Sequence, residues 1–198
     1  MEVFSYKQTF TKRLPVYILT TILIGIIVVA FTAARIATND INQQRVNDTE
    51  QQLNEIRNQS QINIFLSIFR NNYYIALNFI APIAGQIFFI AVMYSTAEIF
   101  AARSIQIGQN ASISPYFVAF IYIFTLMFSP TVFFFGFLEF LGYALALVQS
   151  INLINSAIKS IRSKDLSMVY NELKFTILMV VIIAIVLLLA AYLESLLV

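Results

Sequence analysis

Residues 14–34 read LPVYILTTILIGIIVVAFTAA, a stretch of 21 residues without a charged side chain. A helix needs about 20 apolar residues to cross the hydrocarbon core of a bilayer. The stretch exceeds the roughly 7–15 apolar residues of a signal peptide, so we expect a retained anchor. The whole chain is 60% hydrophobic and 11% charged, whereas soluble domains are about 25% charged. The composition predicts a multi-pass membrane protein.

Further apolar stretches predict an all-α, polytopic transmembrane helical bundle of about five spans, forming one membrane domain over 1–198. Pro130 interrupts an apolar stretch that is too long for one helix, because proline removes a backbone donor. We therefore predict a Pro-broken helical hairpin at 115–153. Its first arm covers about 22 Å and either spans with little tilt or forms half of a re-entrant hairpin. Pro82 and Gly85 predict a kink in the second span.

The predicted segments follow one another along the chain without a separate soluble domain. They are a cytoplasmic tail 1–13, span 14–36, an extracytoplasmic helical and polar segment 37–68, spans 71–102, 115–129 and 131–153, a cytoplasmic amphipathic segment 155–174 and a last span 175–198.

Positive charge predicts the orientation of these spans. Lys and Arg favour the cytoplasmic side, and an N-in/C-out arrangement places eight of the twelve there, including Arg103 in a turn near 103–113. Asn47 and Asn58 begin N-glycosylation sequons on the predicted outer side and are candidates for modification. We expect the protein in the cell (plasma) membrane.

Glutamates within the spans are the candidate functional residues, since an ionisable group in hydrocarbon is costly. Glu139 should lie about 12 Å below the outer boundary. It shares a helix face with Gly136 and other small or polar residues, as in helix–helix contacts, and should face protein. Glu98 is interpreted as an interfacial glutamate at the cytoplasmic end of span 71–102.

Glu194 is expected near the outer boundary, at the level of Arg70, Asn71 and Asn72. We expect Glu139, Glu194, Arg70 and Asn72 to form a structural polar network. A substrate or proton site is one alternative, and the absence of mutual contact is the other.

The same residues resemble three motifs of the stage II sporulation protein M family of multi-pass membrane proteins. Asn71-Asn72 resembles its Asn-Asn pair, Gly136-Phe137-Leu138-Glu139 its Gly-x-x-Glu, and Ala190-Ala191-Tyr192-Leu193-Glu194 its Ala-Ala-x-x-Glu. The resemblance covers most of 65–198. Phe135 stands where the family usually has His, so a role that needs that imidazole is absent or altered here. The resemblance implies a membrane scaffold, and the Ile-, Asn- and Tyr-rich composition suits an archaeal member.

Residue types also limit the chemistry. The chain has no His and no Cys, and it lacks Gly-x-Ser-x-Gly and phosphate-loop motifs. We therefore expect no enzyme, metal or cofactor, and a net charge of +2 gives no reason to expect nucleic acid. The expected partners are the lipid bilayer and either other proteins or further copies of the chain. The predicted function is a scaffold or subunit of a membrane complex. The alternative is a permease-like component of a transport or export system, acting as a homo-oligomer.

Overall fold

A computed structural model describes residues 5–128 and 133–196. Every regular element in that part of the chain is an α-helix, which confirms the all-α prediction. In chain order these helices are α1 (Tyr6–Thr38), α2 (Gln43–Arg57), α3 (Gln61–Ile80), α4 (Ala84–Ala111), α5 (Pro115–Phe128), α6 (Phe133–Ser163) and α7 (Ser167–Ser195). Four of them, α1, α4, α6 and α7, are long and apolar enough to cross a membrane, and α5 is a shorter apolar helix.

Two arginines on α1 mark the two ends of the bundle. Arg13 and Arg35 are 22 positions apart, which is about 33 Å along a helix and close to the thickness of a hydrocarbon core. Arg13 binds Glu172 near the start of α7, so α7 begins at the Arg13 end. It leads away from there to the other end of the bundle, which we call the Arg35 end.

Helix α6 is the most enclosed helix and runs antiparallel to α7. Gln149 of α6 donates to Thr176 of α7 near the Arg13 end, and Gly142 lies against Leu187 further along. Tyr143 and Ala146 are also buried. The small and polar face predicted for this helix therefore does pack against protein.

The structure differs from the prediction of one kinked span over 71–102. Helix α3 ends at Ile80 and α4 begins at Ala84. The intervening Ala81 carbonyl accepts a hydrogen bond from Ser150, next to Gln149 in the half of α6 nearer the Arg13 end. The Phe79 and Phe89 rings lie 5.3 Å apart, although ten residues of continuous helix would separate them by about 15 Å. The two helices therefore form a hairpin.

This hairpin moves the turn near 103–113 to the other side of the bundle. Glu98 of α4 pairs with Arg35, so α4 ends at the Arg35 end, and Arg103 lies there rather than beside the amino terminus. The Arg13 end then carries seven of the twelve Lys and Arg residues, including all five lysines. The bias is smaller than the sequence suggested but still favours the Arg13 end as cytoplasmic.

Helices α5 and α6 correspond to the predicted Pro-broken segment at 115–153. The two predicted helices are both present, and the break predicted at residues 129–131 lies outside the described residues. Pro115 lies against Gly108 of α4, so α5 begins at the Arg35 end, whereas α6 finishes at the Arg13 end. The four long apolar helices and the shorter α5 agree with the prediction of about five spans.

The segments predicted outside the spans differ in outcome. The outer segment 37–68 contains the polar helix α2, and both sequon residues, Asn47 and Asn58, are exposed. The amphipathic segment predicted over 155–174 is not a separate helix. It is the end of α6, a turn, and the start of α7. Two hydrogen bonds from Ser167 to Asp165, each 2.8 Å, close this turn and lower the pKa of Asp165.

Candidate functional site

Three helices bring carboxyl, amide and phenol groups together toward the Arg35 end of the bundle. The hydroxyl of Tyr143 on α6 donates to Oε1 of Glu139, one turn earlier, at 2.8 Å. The same hydroxyl lies 3.3 Å from Oδ1 of Asn72 on α3. Glu194 of α7 is within electrostatic range of Glu139. We call Asn72, Glu139, Tyr143 and Glu194 the carboxyl cluster.

The hydrogen bonds of the cluster can be counted. A phenol has one hydrogen and here faces two acceptor oxygens, and the shorter contact identifies Glu139 as its main acceptor. The Asn72 oxygen also receives the side-chain amide of Asn71 at 3.3 Å. In the described part of the chain no ion pair neutralises Glu139 or Glu194, and both side chains remain half-buried. The cluster therefore holds two carboxyl groups without a countercharge.

The structure brings some of the residues predicted for this site together. Asn72 and Glu139 both lie beside the Tyr143 hydroxyl, Asn71 joins them through its amide, and Glu194 lies within electrostatic range of Glu139. Gly136 is buried on α6, one turn before Phe140. Arg70 is exposed and takes no part in the hydrogen bonds of the cluster. Tyr143 is not among the residues predicted for this site, although its position four residues after Glu139 allows their contact.

A second polar network lies at the Arg13 end and was not predicted. The two terminal guanidinium nitrogens of Arg13, Nη1 and Nη2, donate to the two oxygens of the Glu172 carboxylate at 2.6 and 2.7 Å. Gln149 donates to the same carboxylate at 2.6 Å and to Thr176 at 2.8 Å. The sequence had placed Arg13 in the tail and Glu172 in a surface segment. No local pattern shows that the two would meet, because 159 positions separate them.

A third network joins α1 and α4 at the Arg35 end. The Arg35 guanidinium lies 3.3 Å from Glu98, donates to the backbone carbonyl of Asp40 at 2.6 Å and lies over the Tyr94 ring. Glu98 also accepts the backbone N–H of Asn42 at 2.8 Å. Glu98 is 2% exposed. The prediction of an interfacial glutamate at the cytoplasmic end is therefore corrected: Glu98 is a buried ion-pair partner at the opposite end.

Three cavities in the described part of the chain lie apart from Asn72, Glu139 and Tyr143 of the carboxyl cluster. An apolar groove of about 180 Å³ runs between α1 and α5, beside Gly25 and Ile123. A groove of about 310 Å³ lies between the start of α3 and the end of α7, and a polar one of about 410 Å³ lies between α2 and α4. None of these three is lined by Asn72, Glu139 or Tyr143. Within the described residues, no group of three or more His, Cys, Asp or Glu side chains could hold a metal ion.

These features define the class of the protein. Several long apolar helices with exposed aliphatic side chains, packed around buried polar networks, are those of an integral membrane protein in contact with lipid. Comparison with known proteins gives no match to a family model, to a curated protein or to a solved structure.

Proposed function

We propose that this protein is a non-enzymatic scaffold or subunit of a complex in the cell membrane, similar in role to the stage II sporulation protein M family. One observation carries the proposal. Glu139 and Glu194 have no countercharge in the described part of the chain, and each keeps part of its surface uncovered. Lipid tails offer no hydrogen-bond donors, so a half-buried glutamate without a countercharge in a span calls for a protein partner.

The positions of the resembling motifs support this proposal. The Asn pair lies on α3, the Gly-x-x-Glu motif on α6 and the Ala-Ala-x-x-Glu motif on α7, and all three contribute to the carboxyl cluster. The small residues Gly142 and Ala191 let α6 and α7 pack closely. Such packing favours a fixed surface that presents the two carboxyl groups to a partner helix.

Affinity purification of the tagged protein from its own membranes in mild detergent tests the proposal. We expect a stoichiometric protein partner with the wild type, and we expect Glu139→Gln to lose that partner while keeping the elution volume and melting temperature of the isolated chain. Glu55→Gln, on the exposed surface of α2, is the matched control and should retain the partner. Retention of the partner by Glu139→Gln would contradict this role for Glu139.

A permease-like component is the second candidate, and one observation favours it. Two carboxyl groups within electrostatic range of each other inside a bundle are an arrangement used to carry protons or cations. If the protein is a permease-like component, purification should yield a homo-oligomer without another protein. Proteoliposome flux should then fall in Glu139→Gln and in Glu194→Gln, and flux that is unchanged in both variants would reject a carboxylate mechanism.

A further inference from the structure

The Arg13 end of the bundle exposes an unusual density of positive charge. Six basic side chains are exposed there on three helices and one turn: Lys7, Lys12, Lys159, Arg162, Lys164 and Lys174. The start of α1 lies against the start of α7, where the Tyr6 and Phe175 rings are 6.4 Å apart. The six side chains therefore belong to one surface, which we call the basic end.

The two described acidic side chains at this end are already engaged. Glu172 is buried and binds Arg13 through both carboxylate oxygens. Asp165 is exposed, but Ser167 donates its backbone N–H and its hydroxyl to the two oxygens of that carboxylate. Within the described residues no ion pair neutralises the six basic side chains. The surface is therefore suited to an external anion.

Large apolar side chains are exposed among these charges. Ile161 and Leu166, on either side of the α6–α7 turn, are 77% and 76% exposed. These are high values for apolar residues that would otherwise meet water. A mixture of exposed aliphatic and basic side chains is typical of segments that lie at the boundary between acyl chains and headgroups.

The depth of the α6–α7 turn in the bilayer favours lipid over a protein as the partner of the basic end. Helix α7 begins five residues before Glu172, which is about 8 Å of helix. The headgroup layer on each side of a bilayer is about 5–8 Å thick, from the difference between total and hydrocarbon thickness. If the Arg13–Glu172 pair marks the hydrocarbon boundary, where the charge-free stretch of α1 begins, the turn lies among the headgroups.

We propose that the basic end is a binding site for anionic phospholipids. Lys159, Arg162 and Lys164 contact the phosphate groups, while Ile161 and Leu166 reach the acyl chains below them. The ammonium groups act as point charges that attract phosphate. This site is independent of the carboxyl cluster, so the proposed function can fail without affecting it.

The chain contains no Trp, which allows a direct test. Leu166→Trp places a single fluorophore at the basic end, and Ile62→Trp, at a 70% exposed position of α3, is the matched control toward the Arg35 end. Each protein is reconstituted in vesicles that contain equal amounts of phosphatidylglycerol and phosphatidylcholine, with one of the two lipids brominated. Because bromine quenches Trp at short range, the two quenching values report which lipid surrounds the fluorophore.

We expect brominated phosphatidylglycerol to quench Leu166→Trp more strongly than brominated phosphatidylcholine does, and neither lipid to be preferred at Ile62→Trp. The preference should fall with added salt. The preference for phosphatidylglycerol should also fall about five-fold for each charge removed in Lys159→Gln/Arg162→Gln/Lys164→Gln. It should persist in Lys159→Arg/Lys164→Arg, which keeps both charges. Equal quenching by the two lipids at Leu166→Trp would overturn the proposal. So would a triple Gln variant that keeps its lipid preference but loses a protein partner, since the basic end would then be a protein-docking surface.

Discussion

Glu98 lies 3.3 Å from Arg35, and the two side chains are only 2% and 5% exposed. This pair connects the middle of α4 to the end of α1, and Gln86 near the start of α4 donates to Ser150 of α6. The two contacts together give α4 its direction in the bundle. A buried ion pair is costly to desolvate, and removal of one partner leaves the other charged group without compensation.

We expect Glu98→Ala to destabilise the protein by about 3 kcal/mol. The variant leaves the buried Arg35 guanidinium with only the exposed Asp40 carboxylate, 3.5 Å away, and the backbone N–H of Asn42 loses its acceptor. Thermal unfolding in detergent, followed by the fraction of protein that remains monodisperse, provides the measurement. Glu55→Ala on α2 is the control and should melt at the wild-type temperature. A Glu98→Ala protein with unchanged melting would show that the pair contributes little.

The α3–α4 hairpin predicts on which side of the membrane each turn lies. The chain has no Cys, so single cysteines can be labelled with a membrane-impermeant maleimide. We expect Ser114→Cys, in the α4–α5 turn, to react on the same side as Gln59→Cys, and Ser163→Cys to react on the opposite side. A single span over 71–102 would instead place Ser114 and Ser163 on the same side, so this experiment separates the two arrangements.

Close packing at the start of α4 predicts that Gly85→Ala is destabilising. A Cβ atom at Gly85 would clash with the carbonyl oxygen of Phe79 and lie 3.0 Å from that of Asn78. These are backbone atoms that cannot rotate away, so α3 and α4 would have to separate, at a cost of about 1–3 kcal/mol. Thermal melting against Ala84→Ser, an exposed neighbour, is the measurement. Equal melting temperatures would mean that the hairpin tolerates the extra methyl group.

Removal of the phenol oxygen tests the carboxyl cluster. Tyr143→Phe should lower the free energy of unfolding by about 1–2 kcal/mol, because Glu139 loses its 2.8 Å donor within a buried site. Tyr74→Phe, 68% exposed on α3, is the control. A double-mutant cycle with Glu139→Met, which removes the acceptor oxygens, should give a non-additive result, since the two groups share one hydrogen bond. Additive effects would show that they act independently.

Much of the site was accessible to sequence reasoning because each element carries a local signal. Glu139 and Glu194 stand out as charges in apolar stretches, and Asn72 stands out as part of an amide pair near the start of the predicted second span. Arg70 was expected at the same depth in the membrane as Glu194 and Asn72, but its side chain lies on the exposed face of α3. Helical position along the membrane can be counted from sequence, whereas the direction of a side chain around its helix depends on which neighbours that helix acquires.

The buried pairs Arg13–Glu172 and Arg35–Glu98 could not be predicted in this way. Each partner has an ordinary position near a predicted membrane boundary, where Lys, Arg, Asp and Glu are common. Burial comes only when α1 packs against α7 and α4, and these contacts join residues that are distant in the sequence.

The sequence by itself determined that this is an all-α membrane protein, because uncharged stretches of about 20 residues have few other stable environments. It also determined which glutamates lie within the spans. Only the tertiary structure decided that Ala81–Ile83 is a hairpin turn rather than a kink. Proline interrupts a helix in either case, and the angle that follows depends on packing: Phe79 against Phe89, and Ala81 against Ser150. That one turn decides on which side Arg103 lies.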